Sequence, residues 1–463
     1  MSPPMMTGWN FFISMLLRLR GGPRGPASGW YRLPTRYTRL HPPLPTAGRV
    51  EEVTVTQPDS RFPELRAELA RLSGTSAQDW YPVFKARYGM QVAFEQIRAV
   101  HGDGAVLTQL FTCCTAVVPI MAAGLTPRYA DIDADTLALA PGAVDATTAP
   151  DSGGGPVVPL RGLVIQHTFG IQGGEEAGRL AQQARDLGAV VMEDAAHCVT
   201  RLARGDDGQP LADVSFHSFG VQKILPTHFG GAVWVNPELA RRDAALDSAL
   251  RVALASLPDL NHRLGAAARM YRNQARVLAH LPRAVSAPAR AAASRTGLLE
   301  PPIATAEEAG RLPYAPMVPS GWVARTATAA LRRLPEADAA RIRVVGRYRE
   351  ALPGLAGVTV PGGVLRGAPA PLLRVPLLLP NTDEAERLIA GMRAIGVFAE
   401  RWGRPLLYPG VDDEAAFCVP AAPGSLPVTR DVSARVVALP TELDDAHAAD
   451  AVRLVQEWSR HRA

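Results

Sequence analysis

Ala189-Val190-Val191-Met192-Glu193-Asp194-Ala195-Ala196-His197, then Ser215-Phe216-His217-Ser218-Phe219-Gly220-Val221-Gln222-Lys223, then Phe229-Gly230-Gly231-Ala232-Val233-Trp234-Val235: the reading of these three pieces decides the fold. Each holds an apolar run of strand length, with polar groups at its end or glycines at its start. A carboxylate leaves the first, a hydroxyl and an amine follow the second, and Gly230-Gly231 opens the third. Polar groups gathered at one sheet edge beside close-approach glycines suit an anionic, nitrogen-bearing ligand.

Lysine usage sharpens this. Of 49 basic residues only Lys85 and Lys223 are lysine, and the other 47 are arginine. Arginine replaces lysine for charge, but its guanidinium stays protonated and forms no imine with an aldehyde, whereas a lysine amine does. Chemistry therefore explains Lys223 better than charge, and the cofactor that needs such an amine is pyridoxal phosphate (PLP). Lys85 has no comparable sequence surroundings and reads as an ordinary surface lysine. Asp194 ends a buried-type strand 29 residues before Lys223. An ionised carboxylate there favours a protonated pyridine nitrogen; a helix cap or salt bridge is the plainer alternative. Glu193 points to the other side of the strand. Ser218 is placed to donate to a phosphate or to make a local turn. His197 is positioned to approach the ring, while His167, His217 and His228 read as packing or hydrogen-bonding residues.

Working outward, the chain from Gly104 alternates: strand 105–110, helix 117–123, strand 126–131, strand 162–166, helix 175–187 and strand 189–192. This implies right-handed crossovers and a mostly parallel sheet. Before it, apolar spacing predicts helices over 62–72 and 82–100. The run 141–156 reads as a loop. The strands at 213–216 and 230–235 are joined by a loop instead of a helix, so antiparallel or mixed pairing is open to them. Helices over 238–256 and 260–280 lead to a Pro/Ala/Arg-rich passage reaching 319, read as a linker or extended crossing segment. A helical reach over 321–352 is divided near Pro335. Strand 373–379, helix 383–395, a return near Val397 and a last helix over 442–458 make a small α+β unit. The expected organisation is an Arg/Pro/Gly-rich appendage over 1–60, a large α/β domain over 61–320, and a long helix with a small C-terminal α+β domain over 321–463.

Composition removes other classes. With 47% hydrophobic and 20% charged residues the chain is of the soluble globular kind. The net charge of +5 is concentrated at the start, where residues 1–50 carry seven arginines and no acid. The body has no basic face to extend that arm, so nucleic-acid binding is not expected. The arm reads as solvated, with membrane-surface contact through Trp9, Phe11, Phe12, Ile13 and Leu16 as a lesser alternative. The apolar run 11–17 is far short of the roughly 20 residues a span needs, and its arginines follow it, unlike those of a secretory signal. Cys113, Cys114, Cys198 and Cys418 form no C-x-x-C pair, which argues against a structural zinc site and for a reducing compartment, the cytoplasm. No metal site is expected. Neither G-x-x-x-x-G-K-[ST] nor G-x-S-x-G occurs, and Gly173, Gly174 and Gly178 are wrongly spaced for a dinucleotide fingerprint.

Glu193-Asp194-Ala195-Ala196-His197, Ser218-Phe219 with Lys223 following, and Gly230-Gly231-Ala232-Val233 together resemble the DegT/StrS family of PLP-dependent sugar aminotransferases. Gly124-Leu125-Thr126-Pro127 leading to Asp131-Ile132-Asp133, and Leu439-Pro440-Thr441, extend the resemblance over about 85–458. It implies a fold type I PLP enzyme whose site is completed across a homodimer. It also implies transfer of an amino group from an amino acid, glutamate by resemblance, to a keto group of a nucleotide-linked sugar or similar cyclic polyol. By position, Lys223 would bond the cofactor aldehyde, Asp194 would pair with the pyridinium, Ser218 would bind phosphate and His197 would contact the ring oxygen. Gly89-Met90 would occupy the phosphate turn, and Cys113 falls near the ring-stacking position, with Phe111 a neighbouring alternative. The family usually has Ser/Asn-Gly-Thr at that turn, where this chain has Arg87-Tyr88-Gly89-Met90. Family dehydratases have histidine in place of the lysine, so Lys223 favours transamination. Another PLP reaction or a non-catalytic PLP-binding regulatory relative are the alternatives.

Overall fold

The computed structural model describes residues 61–148, 158–422 and 424–462. The appendage expected over 1–60 and part of the loop expected over 141–156 lie outside the described residues.

Seven strands form one sheet: β1 (Trp80–Val83), β2 (Ala105–Gln109), β3 (Thr126–Ala130), β4 (Leu160–Gln166), β5 (Val190–Asp194), β6 (Val214–Ser218) and β7 (Gly231–Val235). Their order is β1-β7-β6-β5-β4-β2-β3. Strands β2 to β6 run parallel, and β7 is antiparallel to both β6 and β1. The expected mostly parallel α/β sheet is therefore present. The pairing left open between the last two strands is antiparallel, with Ser218 opposite Gly231, as a connection without a crossover helix requires. Strands covered by helices on both sides of a sheet are buried on both faces, which is why the parallel β5 and the antiparallel β7 both read as near-continuous apolar runs.

The sheet is covered by α1 (Pro63–Ser73), α2 (Ala86–His101), α3 (Cys114–Ala122), α4 (Ala143–Thr148) and α5 (Gly174–Asp186). One face packs Phe94, Ile97, Met192, Phe216 and Val233 into a core with Leu246, Leu250 and Leu254 of the helical run after β7. That run comprises α6 (Leu239–Arg242), α7 (Ala244–Ala255), α8 (His262–His280), α9 (Arg283–Arg295) and α10 (Thr305–Glu308). Next come α11 (Gly321–Arg332) and α12 (Leu334–Ala351), then α13 (Gly362–Leu365), β8 (Arg374–Leu378), α14 (Thr382–Ala394), α15 (Pro427–Arg435), β9 (Val436–Pro440) and α16 (Asp445–Arg460). Strands β8 and β9 pair antiparallel. Their core takes in Val344, Val345 and Tyr348 of α12 and also Phe111 and Phe169 from the large sheet's loops. Helix α11 packs Ala327 and Leu331 near Trp80 and Trp234.

Four local expectations are corrected. Residues 80–83 form an edge strand where a helix was expected from 82, and Pro82 is tolerated there because an edge leaves one side of the strand unpaired. The loop 141–156 contains α4. The supposed linker contains α9, whose interior Pro288 had weakened its helical signal. The partner of β8 is 436–440, while the return near 397 contributes only a single bridge, Glu400 with Ala438.

Candidate active site

A cleft opens where β4, β5 and β6 end, lined from the sheet by Gln166, Asp194 and Ser218. The loop after β6 adds Gly220 and Lys223, and the start of α2 adds Lys85, Arg87 and Met90. Thr112 and Cys113 enter at the start of α3, and Pro302 and Ile303 from the segment before α10. The small unit closes the cleft with Arg374, Glu400, Trp402 and Tyr408. The structure thus brings together Lys223, Asp194, His197, Ser218, Met90 and Cys113 of the expected site.

Lys223 takes no side-chain hydrogen bond or ion pair with another described residue. Burial pushes its amine below the usual lysine range, against the opposing pull of Cys113 and Asp194, which favours the uncharged, nucleophilic form. Asp194 lies at the end of β5, 9% exposed. Burial raises its carboxyl, opposed by the charge of Lys223 and by the Ala196 N–H, which donates to Oδ1 at 3.0 Å. The second carboxylate oxygen is left for a ligand.

His197 is held as one tautomer. The backbone N–H of Phe169 donates to its Nδ1 at 3.0 Å, so the ring proton belongs on Nε2. Burial, followed by the charges of Lys223 and Arg374, holds the ring well below the usual histidine range. A neutral imidazole with an Nε2 donor suits contact with a ring oxygen. Phe169 stacks on it at 6.2 Å and Trp402 meets it edge-on at 5.5 Å.

Ser218 Oγ accepts from the Gly220 N–H at 3.3 Å, leaving its own proton to donate. Cys113 caps α3; the Cys114 thiol, the Thr115 hydroxyl at 3.0 Å and the charges of Arg87 and Lys223 favour its thiolate against burial. Glu193 faces away as expected, bound by His167 Nε2 at 2.6 Å and by Ser215 Oγ at 2.9 Å. His217 joins the same cluster through Ser215 at 2.9 Å. His228, expected to pack or to hydrogen-bond, also lines the cleft.

Two expectations fail. Gly89 and Met90 form no phosphate turn, because they lie inside α2. Met90 reaches the cleft but Gly89 does not, and a Cβ at Gly89 would sit 2.3 Å from Val233 Cγ2, so this glycine lets the helix approach β7. Lys85 is no surface lysine: it is 6% exposed and its Nζ lies 2.5 Å from Glu300 Oε1. The retention of lysine in an arginine-rich chain was the signal that applied to it as well as to Lys223. Arg374, Glu400, Trp402 and Tyr408 were missed, and no local pattern marks them.

The free amine, the carboxylate with an open oxygen and the neutral imidazole donor match the aldehyde, the pyridine nitrogen and the ring oxygen of PLP. The residues present therefore fit that cofactor.

Residues 83–294 match the profile of the DegT/DnrJ/EryC1/StrS aminotransferase family. The chain is 28% identical over 142 residues to Protein MosB of Rhizobium meliloti, covering 30% of this chain and 26% of that protein. It is 28% identical over 162 residues to the L-glutamine:2-deoxy-scyllo-inosose aminotransferase of Streptomyces kanamyceticus, covering 35% of each. The matched stretches thus span about a quarter to a third of those relatives' length. Among solved structures, the aminotransferase TlmJ from Streptoalloteichus hindustanus superimposes with a TM-score of 0.59 at 20% identity, covering 87% of this chain and 92% of that one. At that identity the likeness speaks for the fold alone.

Proposed function

We propose that this chain, whose residues 83–294 carry the DegT/DnrJ/EryC1/StrS aminotransferase pattern, moves an amino group from an amino acid to a keto group of a nucleotide-linked sugar or similar cyclic polyol, with PLP as cofactor. The observation that carries this is the unpaired Lys223 amine in one cleft with Asp194 and the Nε2 donor of His197. Bound PLP supplies an aldehyde that accepts the amine and a ring that withdraws electrons from the substrate carbon.

The protein's own residues supply the rest. Asp194 holds the proton of the ring nitrogen, His197 donates from Nε2 to the ring oxygen, and Ser218 donates from Oγ to the phosphate. With the cofactor bound, the Lys223 amine would be the base that moves a proton at the substrate carbon in each half-reaction. Trp402, Phe169 and Phe111 pack edge to face beside the cleft, which keeps water from these transfers. One relative is named for a glutamine donor and a cyclic keto-polyol, which supports the polyol end of the reading and sets glutamine beside glutamate as donor. A homodimer is part of the proposal, and so is the cytoplasm, since all four cysteines are free. No helix among the described residues is long and apolar enough to cross a membrane.

The test adds glutamate or glutamine alone to the PLP-loaded protein. The cofactor absorbance should shift in a single half-reaction, and a keto-polyol or nucleotide-linked keto sugar should restore it. A loaded protein that no amino donor shifts is not an aminotransferase.

A further inference from the structure

We propose that Lys85 and Arg87 hold the phosphate of the cofactor, as a cation pair braced from behind by Glu300 and Glu307. This rests on the PLP reading above and replaces the Gly89-Met90 turn, which the helix rules out.

Both cations line the cleft, whereas Glu300 and Glu307 do not. The acids sit behind, with side chains 2% and 0% exposed. Lys85 Nζ donates to Glu300 Oε1 at 2.5 Å and to Pro301 O at 3.2 Å. An ammonium has three donors, so one remains. Arg87 binds Glu307 through Nη1 and Pro302 O through Nη2, the latter at 2.9 Å. A guanidinium has five donors, so it too keeps some in hand. Tyr314 fixes the outer oxygen of Glu300 at 2.9 Å, and the Ala304 N–H fixes Glu307 at 2.7 Å. The bracing holds the two cations in place before a ligand arrives.

Their position suits an anion. Lys85 and Arg87 flank the first residue of α2, whose N-terminal dipole adds to their charge. Gly231 brings β7 against this helix start, since a Cβ there would lie 2.7 Å from the Ala86 nitrogen. Ser218, at the end of β6 opposite Gly231, enters the same cleft. Sequence usage points the same way. Two lysines survive in a chain that otherwise uses arginine, and both line this cleft. A compact ammonium is a point-charge phosphate binder that a planar fork does not copy in a small space.

The test compares PLP with pyridoxal, which lacks only the phosphate, by absorbance titration of the full chain stripped of cofactor. Lys85→Gln should weaken PLP about ten- to a hundredfold, the range of a lost charge-assisted hydrogen bond, with pyridoxal within about twofold of the unaltered protein. Lys85→Arg should recover part of the loss. The double variant Lys85→Gln with Glu300→Gln removes the buried uncompensated charge and should show the same PLP defect while folding normally. Equal weakening of PLP and pyridoxal, or of neither, overturns the assignment. So does a defect confined to binding of a nucleoside diphosphate, which would move the pair to the acceptor. Borohydride labelling at Lys223 in the unaltered protein reports separately on the PLP reading.

Discussion

The backbone N–H of Phe169 donates to Nδ1 of His197 at 3.0 Å, so a residue of one loop sets the tautomer of a ring on another. Phe169 has φ 57, in the left-handed region, and its ring stacks on the imidazole it orients. The cleft therefore receives a neutral donor. His197→Gln, which keeps a donor, should cost less than about tenfold in kcat, and His197→Leu about a hundredfold. Because the ring sits well below the usual histidine range, the absorbance of bound cofactor should show no titration between pH 6 and 8 that disappears in His197→Gln. Such a titration would mean that the ring is protonated in use.

The two lysines of the cleft are distinguished by their partners. Lys85 is committed to Glu300 and Lys223 to nothing among the described residues. Borohydride reduction of the loaded protein followed by peptide mapping should label Lys223, and Lys223→Ala should abolish turnover. Label on Lys85 alone would reverse the assignment.

Asp194→Asn keeps the shape and the Ala196 hydrogen bond but removes the charge that holds the ring proton. The loss expected is several kcal/mol of barrier, on the order of a thousandfold in rate or more. The melting temperature should change little. Near-normal turnover would make Asp194 a structural residue.

Gly89→Ala tests what that glycine does. The added methyl meets Val233, and overpacking of this kind costs about 1–3 kcal/mol. The ratio of PLP to pyridoxal affinity should stay unchanged, because Gly89 does not reach the cleft. A fall in that ratio without a fall in stability would restore it to the phosphate site.

Stability should fall as pH drops from about 6.5 towards 4. Burial holds His217 down at about 4, below its unfolded value of about 6.5. A group depressed on folding contributes stability above its unfolded pKa and loses it as pH falls through the folded one. The loss is on the order of 3 kcal/mol across that window. Urea midpoints measured at several pH values should show the slope, and His217→Gln should flatten it. An unchanged slope would assign it to other groups.

The sequence by itself determined the parallel sheet, the carboxylate at the end of β5, the serine at the end of β6 and the loop amine after it. These depend on contiguous runs of apolar residues with polar ends, a local pattern that survives in one dimension. Lysine usage set Lys85 apart as well, but its sequence surroundings read as those of a surface residue, so its place in the cleft was not legible. Only the tertiary structure decided that it meets Glu300, 215 residues away, and that Gly89 spaces a helix from a strand. Only the fold, too, brought Arg374, Glu400 and Trp402 over the cleft from the small unit. Such contacts join segments whose local periodicity is satisfied without them, so the chain carries no signal of the meeting until packing brings the two surfaces together.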